Sequence, residues 1–214
     1  MVTNTNAPFG FRPFNQQDGA SPTAGMDRYF IKSSDTNVYY TGDPVMLSTA
    51  AGMEGFLTVP ASGSTTGQPL LGIFVGCEYY DSANSQMRYN ARFPGSVGSS
   101  SPCNAYVITN PQQVFIVQGS TGGVLGSSVI NMNFGFLSAQ SSLGNTLSGV
   151  SAVVLASSTQ TANSSFPFRL VELYANYAPP GVNGTSTGTE GYQVALVRGN
   201  NWVRNSGALT ATST

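Results

Sequence analysis

Residues 69–93, PLLGIFVGCEYYDSANSQMRYNARF, change character one residue at a time. Leu71, Ile73, Val75, Cys77 and Tyr79 form an apolar row at a period of two, while the alternate row of Gly72, Phe74, Gly76, Glu78 and Tyr80 is mixed. That is the pattern of a β-strand with one face buried. Met87, Tyr89, Ala91 and Phe93 alternate in the same way with Arg88, Asn90 and Arg92, and the DSANS between the two runs consists of turn-forming residues. The stretch predicts a β-hairpin. Side chains that face each other across a ladder share a face, so both apolar rows are placed inward. With a loop over 81–85, Tyr80 then faces Gln86, Cys77 faces Tyr89, Val75 faces Ala91 and Ile73 faces Phe93. The same register sets Glu78 against Arg88 as a cross-strand ion pair and Phe74 opposite Arg92, where flanking glycines leave room for a cation over the ring. A slip of one residue is excluded because it turns Arg88 and Arg92 inward; a slip of two keeps the faces and is the competing register.

Outward from the hairpin, short strands and turns continue to alternate. Strands are expected at 28–32, 38–40, directly after the Gly-Asp-Pro turn at 42–44, and at 105–109, 114–118, 149–156, 168–177 and 192–198. FRLVELYANY (168–177) also places Leu170, Leu173, Tyr174 and Tyr177 at helical spacing, but its aromatic and β-branched content and its flanking prolines favour strand. INMNFGF (130–136) fits either a strand or an irregular aromatic loop. Loops rich in Gly, Ser and Thr fall at 62–68, 94–102, 119–128 and 181–191. The chain is therefore expected to be all-β, a jelly-roll-like β-sandwich or barrel with long Gly/Ser/Thr loops. Residues 1–26 form an extended N-terminal arm, 27–205 a single β domain and 206–214 a flexible tail. PFGFRPF puts three phenylalanines, Phe9, Phe11 and Phe14, within six positions of the arm. Exposed, they would be costly in water, so the arm is expected to dock on its own body or on a neighbouring subunit.

Only 8% of residues are charged, against about 25% in an average soluble domain. Net charge is −1, and 40% of residues are hydrophobic, ample for a core. A surface so poor in charge predicts coverage by partners and a homo-oligomer, a trimer with a dimer as the alternative. Histidine is absent, which removes His-based triads, bases and metal ligands. Cys77 and Cys103 are too few for a zinc site and read as buried small hydrophobes, with a disulfide as the lesser alternative. Nine acids scattered among turns offer no catalytic pair, and Asp27, Asp43 and Asp81 read as turn or surface residues. GSTTGQP lacks the Lys of a phosphate loop, and GSTGGVLG lacks the context of a dinucleotide site. Eight cations against nine acids provide no nucleic-acid surface, and no apolar run approaches the ~18 residues of a membrane span. The N-terminal residues lack the pattern of a secretory signal, so synthesis and retention in a cytoplasm, or release only on cell lysis, are expected. No catalytic residue, cofactor or metal is assigned. Ten tyrosines and Trp202 suggest a sugar-stacking platform or, with more weight, core packing and subunit contact.

Five segments form a set: NAPFGFRPF (6–14), TGDPVML (41–47), LLGIFVGCEYYDS (70–82), RFPG (92–95) and AYVITNPQQVFIVQ (105–118). In order and spacing they resemble a family of tailed-phage virion proteins, of cyanophage and marine-phage type, that act as capsid cement or decoration proteins. The likeness covers about the first 120 residues and continues loosely through FRLVEL and YQVALVR. The chain departs from that family in its scarcity of acids and lysine and in INMNFGF. The resemblance implies a protein on the outer surface of a phage head, assembled in the host cytoplasm. It would bridge neighbouring major capsid proteins, stabilise the shell and carry no active site. In that setting the partner-binding residues are expected in the arm, at Phe9, Phe11, Arg12 and Phe14. The alternative is a virion β-module that binds host-surface carbohydrate.

Overall fold

The computed structural model describes residues 6–17, 25–60, 69–98, 103–120, 125–137, 144–174 and 192–206. The loops expected at 62–68 and 181–191, the tail beyond 206 and the arm at 1–5 and 18–24 lie outside the described residues. The chain is all-β. Its strands are β1 (Arg12–Gln16), β2 (Asp27–Ile31), β3 (Tyr39–Tyr40), β4 (Pro44–Leu47), β5 (Leu57–Thr58), β6 (Gly72–Asp81), β7 (Gln86–Asn90), β8 (Arg92–Phe93), β9 (Cys103–Ile108), β10 (Gln113–Gln118), β11 (Asn133–Phe134), β12 (Phe136–Leu137), β13 (Val154–Leu155), β14 (Phe168–Leu173) and β15 (Val194–Gly199). The stretch that also fits helical spacing is strand β14, and INMNFGF supplies two short strands around Gly135. Four helical residues, Val203–Ser206, follow the last strand.

Two antiparallel sheets carry the architecture, one ordered β1-β10-β15-β14-β11 and the other β2-β9-β6-β4-β5, with β7 also paired to β6. They form a sandwich, and among the described residues neither closes into a barrel. One core lies between them: Phe115, Leu170 and Val197 from the first sheet meet Ile73 and Ile108 from the second, with Phe11, Phe134, Phe136, Phe168 and Trp202 filling the space. A second core lies on the other face of the β6 sheet, where Ile31, Tyr39, Val45, Leu57, Phe74, Cys77, Tyr79, Phe93, Cys103 and Val107 pack together. Both cysteines are free and buried. Burial raises their thiol pKa values to about 12 and about 11, so they are inert fillers.

The hairpin forms, but its register differs from the expected one by one residue. Cys77 faces Asn90, Glu78 faces Tyr89, Tyr79 faces Arg88, Tyr80 faces Met87 and Asp81 faces Gln86. The expected Glu78–Arg88 ion pair is not made; Arg88 binds Asp81 at 2.9 Å. Exposure explains the shift. Every residue of β7 is exposed or half-buried, so no buried face holds the Met87/Tyr89 row in phase with β6. Arg88 pays no burial cost, because half of its side chain faces solvent. Local turn chemistry decides instead: the Asp81 carboxylate accepts from the Ala83 amide, the Asn84 side-chain amide and Arg88.

A second departure lies within β6. Phe74 faces Val107 and Gly76 faces Tyr106, so Val75 and Gly76 together oppose a single step of β9. This β-bulge reverses the alternation. Phe74, assigned to the mixed outer row, is fully buried, and it lies opposite Val107 rather than Arg92. Arg92 and Phe93 leave the hairpin to pair with Tyr40 and Tyr39, so the expected Val75–Ala91 and Ile73–Phe93 pairs do not form.

The hairpin splits because TGDP (41–44) fills the gap. The Thr41 hydroxyl bonds the carbonyls of Val75 and Ala91. Gly42 N donates to Phe74 O, and Phe74 N donates to Asp43 O, both at 2.8 Å. Phe11 N donates to Gly42 O, and Ser151 N donates to Thr41 O. Gly42 has φ +98°, and a Cβ there would stand 3.1 Å from the Phe11 nitrogen. Only glycine fits this crossing of chains. Through it the described part of the arm docks on its own domain: β1 pairs with β10 as an edge strand, and Phe11 enters the first core.

Candidate interaction face

The β2-β9-β6-β7 sheet has one face that leaves the sandwich. At its Ile73/Ile108 end this face packs into the first core. Beyond the bulge it continues outward, and the ladders fix which side chains share it. Arg28 stands beside Tyr106, and Tyr106 beside Gly76; Phe30 stands beside Asn104, Asn104 beside Glu78, and Glu78 beside Tyr89; Tyr80 stands beside Met87. Tyr89 is 64% exposed, Met87 56%, Phe30 44% and Tyr80 38%.

This surface is organised. The Tyr89 ring lies 5.9 Å from that of Tyr106 and reaches across β6 above Gly76, where any Cβ would stand 2.7 Å from the Tyr89 hydroxyl. Gly76 thus leaves the space that the end of the Tyr89 ring occupies. The Tyr106 hydroxyl donates to Glu78 Oε2 at 3.3 Å, and the Arg28 guanidinium sits 6.0 Å from the Phe30 ring centroid. Desolvation, reinforced by the Glu78 charge, raises the Tyr106 phenol pKa and keeps it a neutral donor. Among the described residues no three His, Cys, Asp or Glu side chains are placed to hold a metal. What the face offers is contact: aromatic rings, a thioether and an arginine, residue types enriched in protein interfaces, beside the single carboxylate of Glu78.

The arm residues expected to bind partners are divided by the fold. Phe11 is 1% exposed and stacks on Phe168 with centroids 4.2 Å apart. Phe9 is half-buried with the Arg12 guanidinium 5.3 Å from its ring centroid, while Phe14 is 38% exposed and meets Tyr174 edge-on. Phe9, Arg12 and Phe14 therefore remain partly accessible. Trp202, assigned to a sugar-stacking platform, is fully buried against Phe115 and Phe168, so that version of the platform is corrected. Sequence alone does not single out Phe30, Met87, Tyr89 and Tyr106 as contact residues, because alternation such as that of Met87 and Tyr89 reads as burial. The available signal was the pairing of that alternation with Arg88, Asn90 and Gly76 in short, polar-flanked strands.

No protein-family model, curated protein or solved structure matches this chain.

Proposed function

We propose that the chain is a capsid cement or decoration protein that docks on the outer surface of a phage head and bridges neighbouring major capsid proteins. The observation that carries this reading is the uncovered face of Phe30, Tyr80, Met87, Tyr89 and Tyr106, continuous with the edge strand β7. Exposed aromatic rings and a thioether gathered on one face support a contact surface. The choice of a capsid partner rests on the resemblance of the five segments. Self-association as a homotrimer belongs to the same reading and is checked by sedimentation; a monodisperse monomer both free and on heads counts against it.

The test is occupancy. A Tyr89→Ser/Met87→Ser double variant should change the stability of the isolated protein by no more than about 0.5 kcal/mol per site, because both side chains are mainly exposed. Its occupancy on purified heads should fall about tenfold or more, as expected for loss of two interface anchors. Wild-type occupancy by this variant refutes the assignment of the face. A second reading, carbohydrate binding, is favoured by the Tyr89 and Tyr106 rings standing beside Glu78 and Asn104. Loss of glycan binding in the same variant with unchanged head occupancy selects it.

A further inference from the structure

The TGDP crossing contains the only Asp–Pro bond of the chain, Asp43–Pro44. Such a bond is chemically distinct. The proline nitrogen belongs to a tertiary amide without a hydrogen, and when it leaves as a secondary amine it accepts a proton readily. The aspartate brings a carboxyl that closes a five-membered ring onto its own carbonyl carbon, a nucleophile carried by the residue it attacks.

The fold prepares both groups. Asp43 Oδ2 accepts from Tyr40 N at 2.8 Å, which anchors the carboxyl, while Oδ1 is buried with no hydrogen-bond partner. Closing the turn accounts for the first oxygen and leaves the second unexplained, at a site 1% exposed where an unpaired acceptor is costly. The Asp43 carbonyl oxygen accepts from Phe74 N at 2.8 Å, so a backbone donor already points at the atom on which negative charge develops during attack. Pro44 is buried in β4 opposite Ile73, away from bulk water. Burial raises the Asp43 carboxyl pKa to about 7, so the group keeps its proton in mildly acidic solution. No charged side chain among the described residues shifts it, and the Tyr39 phenol, which senses the Asp43 charge, is held neutral by burial and by its bond to Asp35.

We propose that the chain cuts itself at the Asp43–Pro44 bond. Asp43 Oδ1 bonds to the Asp43 carbonyl carbon, the carboxyl proton passes to Pro44 N, and the C–N bond breaks with its electron pair left on that nitrogen. The products are a cyclic anhydride at Asp43 and a free secondary amine at Pro44. One water then opens the anhydride to two carboxyl groups, and nothing is oxidised or reduced. The event is single-turnover and independent of the aromatic face and of any capsid partner. The cut chain stays assembled, since β1 remains paired with β10, β2 with β9 and β3 with β8, and Phe11 remains in the core.

The full-length protein is incubated at about pH 6, folded and in parallel unfolded in urea, and both samples are followed by intact mass. The folded sample should yield two masses that add to the intact mass plus one water, one fragment ending at Asp43 and the other beginning at Pro44. These should co-elute in gel filtration and separate only in denaturant. In the unfolded chain the carboxyl returns to its ordinary pKa of 3.8 and is almost wholly ionised, so the folded rate should exceed the unfolded rate about a hundredfold or more. The folded rate should be level below about pH 6 and fall about tenfold per pH unit above about pH 8. Asp43→Asn removes the nucleophile and should abolish the cut, and Pro44→Ala supplies a poorer leaving nitrogen and should slow it about tenfold or more. A folded chain cut no faster than the unfolded one overturns the proposal, as does a cut that persists in Asp43→Asn. If either variant does not fold, the comparison of folded and unfolded wild type decides by itself.

Discussion

Replacing Phe11 by alanine is expected to lower the unfolding free energy by about 3–5 kcal/mol, the range for removing a phenylalanine from a packed core. Phe11 is the arm residue whose ring is fully buried, and it stacks nearly parallel on Phe168, with an interplanar angle of 14°. Phe168 meets Phe136 and Trp202 edge-on at 6.0 and 6.1 Å, and Trp202 meets Phe115 at 5.8 Å, so the hole would open in one continuous ring cluster. Relaxation is limited there, because Phe11 N is fixed to Gly42 O at the TGDP crossing. Phe14→Ala is the control. That ring is 38% exposed on the edge strand, and its loss should cost about 1 kcal/mol or less. Urea unfolding of the isolated protein separates the two, and a Phe11→Ala cost below about 1 kcal/mol contradicts the docking of the arm on its own domain. The consequence for function is direct: failure of an arm-deleted chain to occupy heads reports folding before it reports an interface.

Phe11 also shows where sequence patterning stops. In NAPFGFRPF the three phenylalanines look equivalent, and their fates are set by Gly10, at φ +70°, and by contacts with Gly42 and Ser151, remote in the chain. The hairpin was legible because period-two alternation is local. The bulge was not, since it appears in sequence only as Gly76 within an otherwise apolar run, and it places both Phe74 and Cys77 inward. The expected register fails for a related reason: alternation in β7 reads as burial, but Met87 and Tyr89 are exposed, and turn chemistry at Asp81 outweighs pattern there. Those residues make up the candidate face. Alternation reveals which side chains share a side, and only tertiary structure reveals whether anything covers it.

Asp43 passes in sequence for an ordinary turn residue, and its amide does close the turn onto Tyr40 O at 3.0 Å. The arm and the Ser151 segment close over it, leaving it 1% exposed. Oδ2 accepts from Tyr40 N at 2.8 Å, while Oδ1 is buried without a hydrogen-bond partner. Desolvation therefore dominates, and despite the bonds from Ser151 and Tyr40 the carboxyl pKa is pushed up to about 7. The folded value lies above the unfolded one, so the native chain binds more protons between them. The stabilisation is fully present below the unfolded pKa of 3.8 and is lost as pH rises through about 7. The total is on the order of 4 kcal/mol, of which about 2–3 kcal/mol falls between about pH 5 and about pH 8. Urea midpoints of the wild type should decline across that interval. Asp43→Asn keeps the shape and the acceptor for Tyr40 N but has no charge to bury, so its midpoint should stay nearly level and exceed the wild-type midpoint at the alkaline end. Subtracting the two curves cancels every other titrating group. A wild-type slope reproduced in Asp43→Asn would place the titration elsewhere and leave the TGDP crossing with no role in the pH dependence.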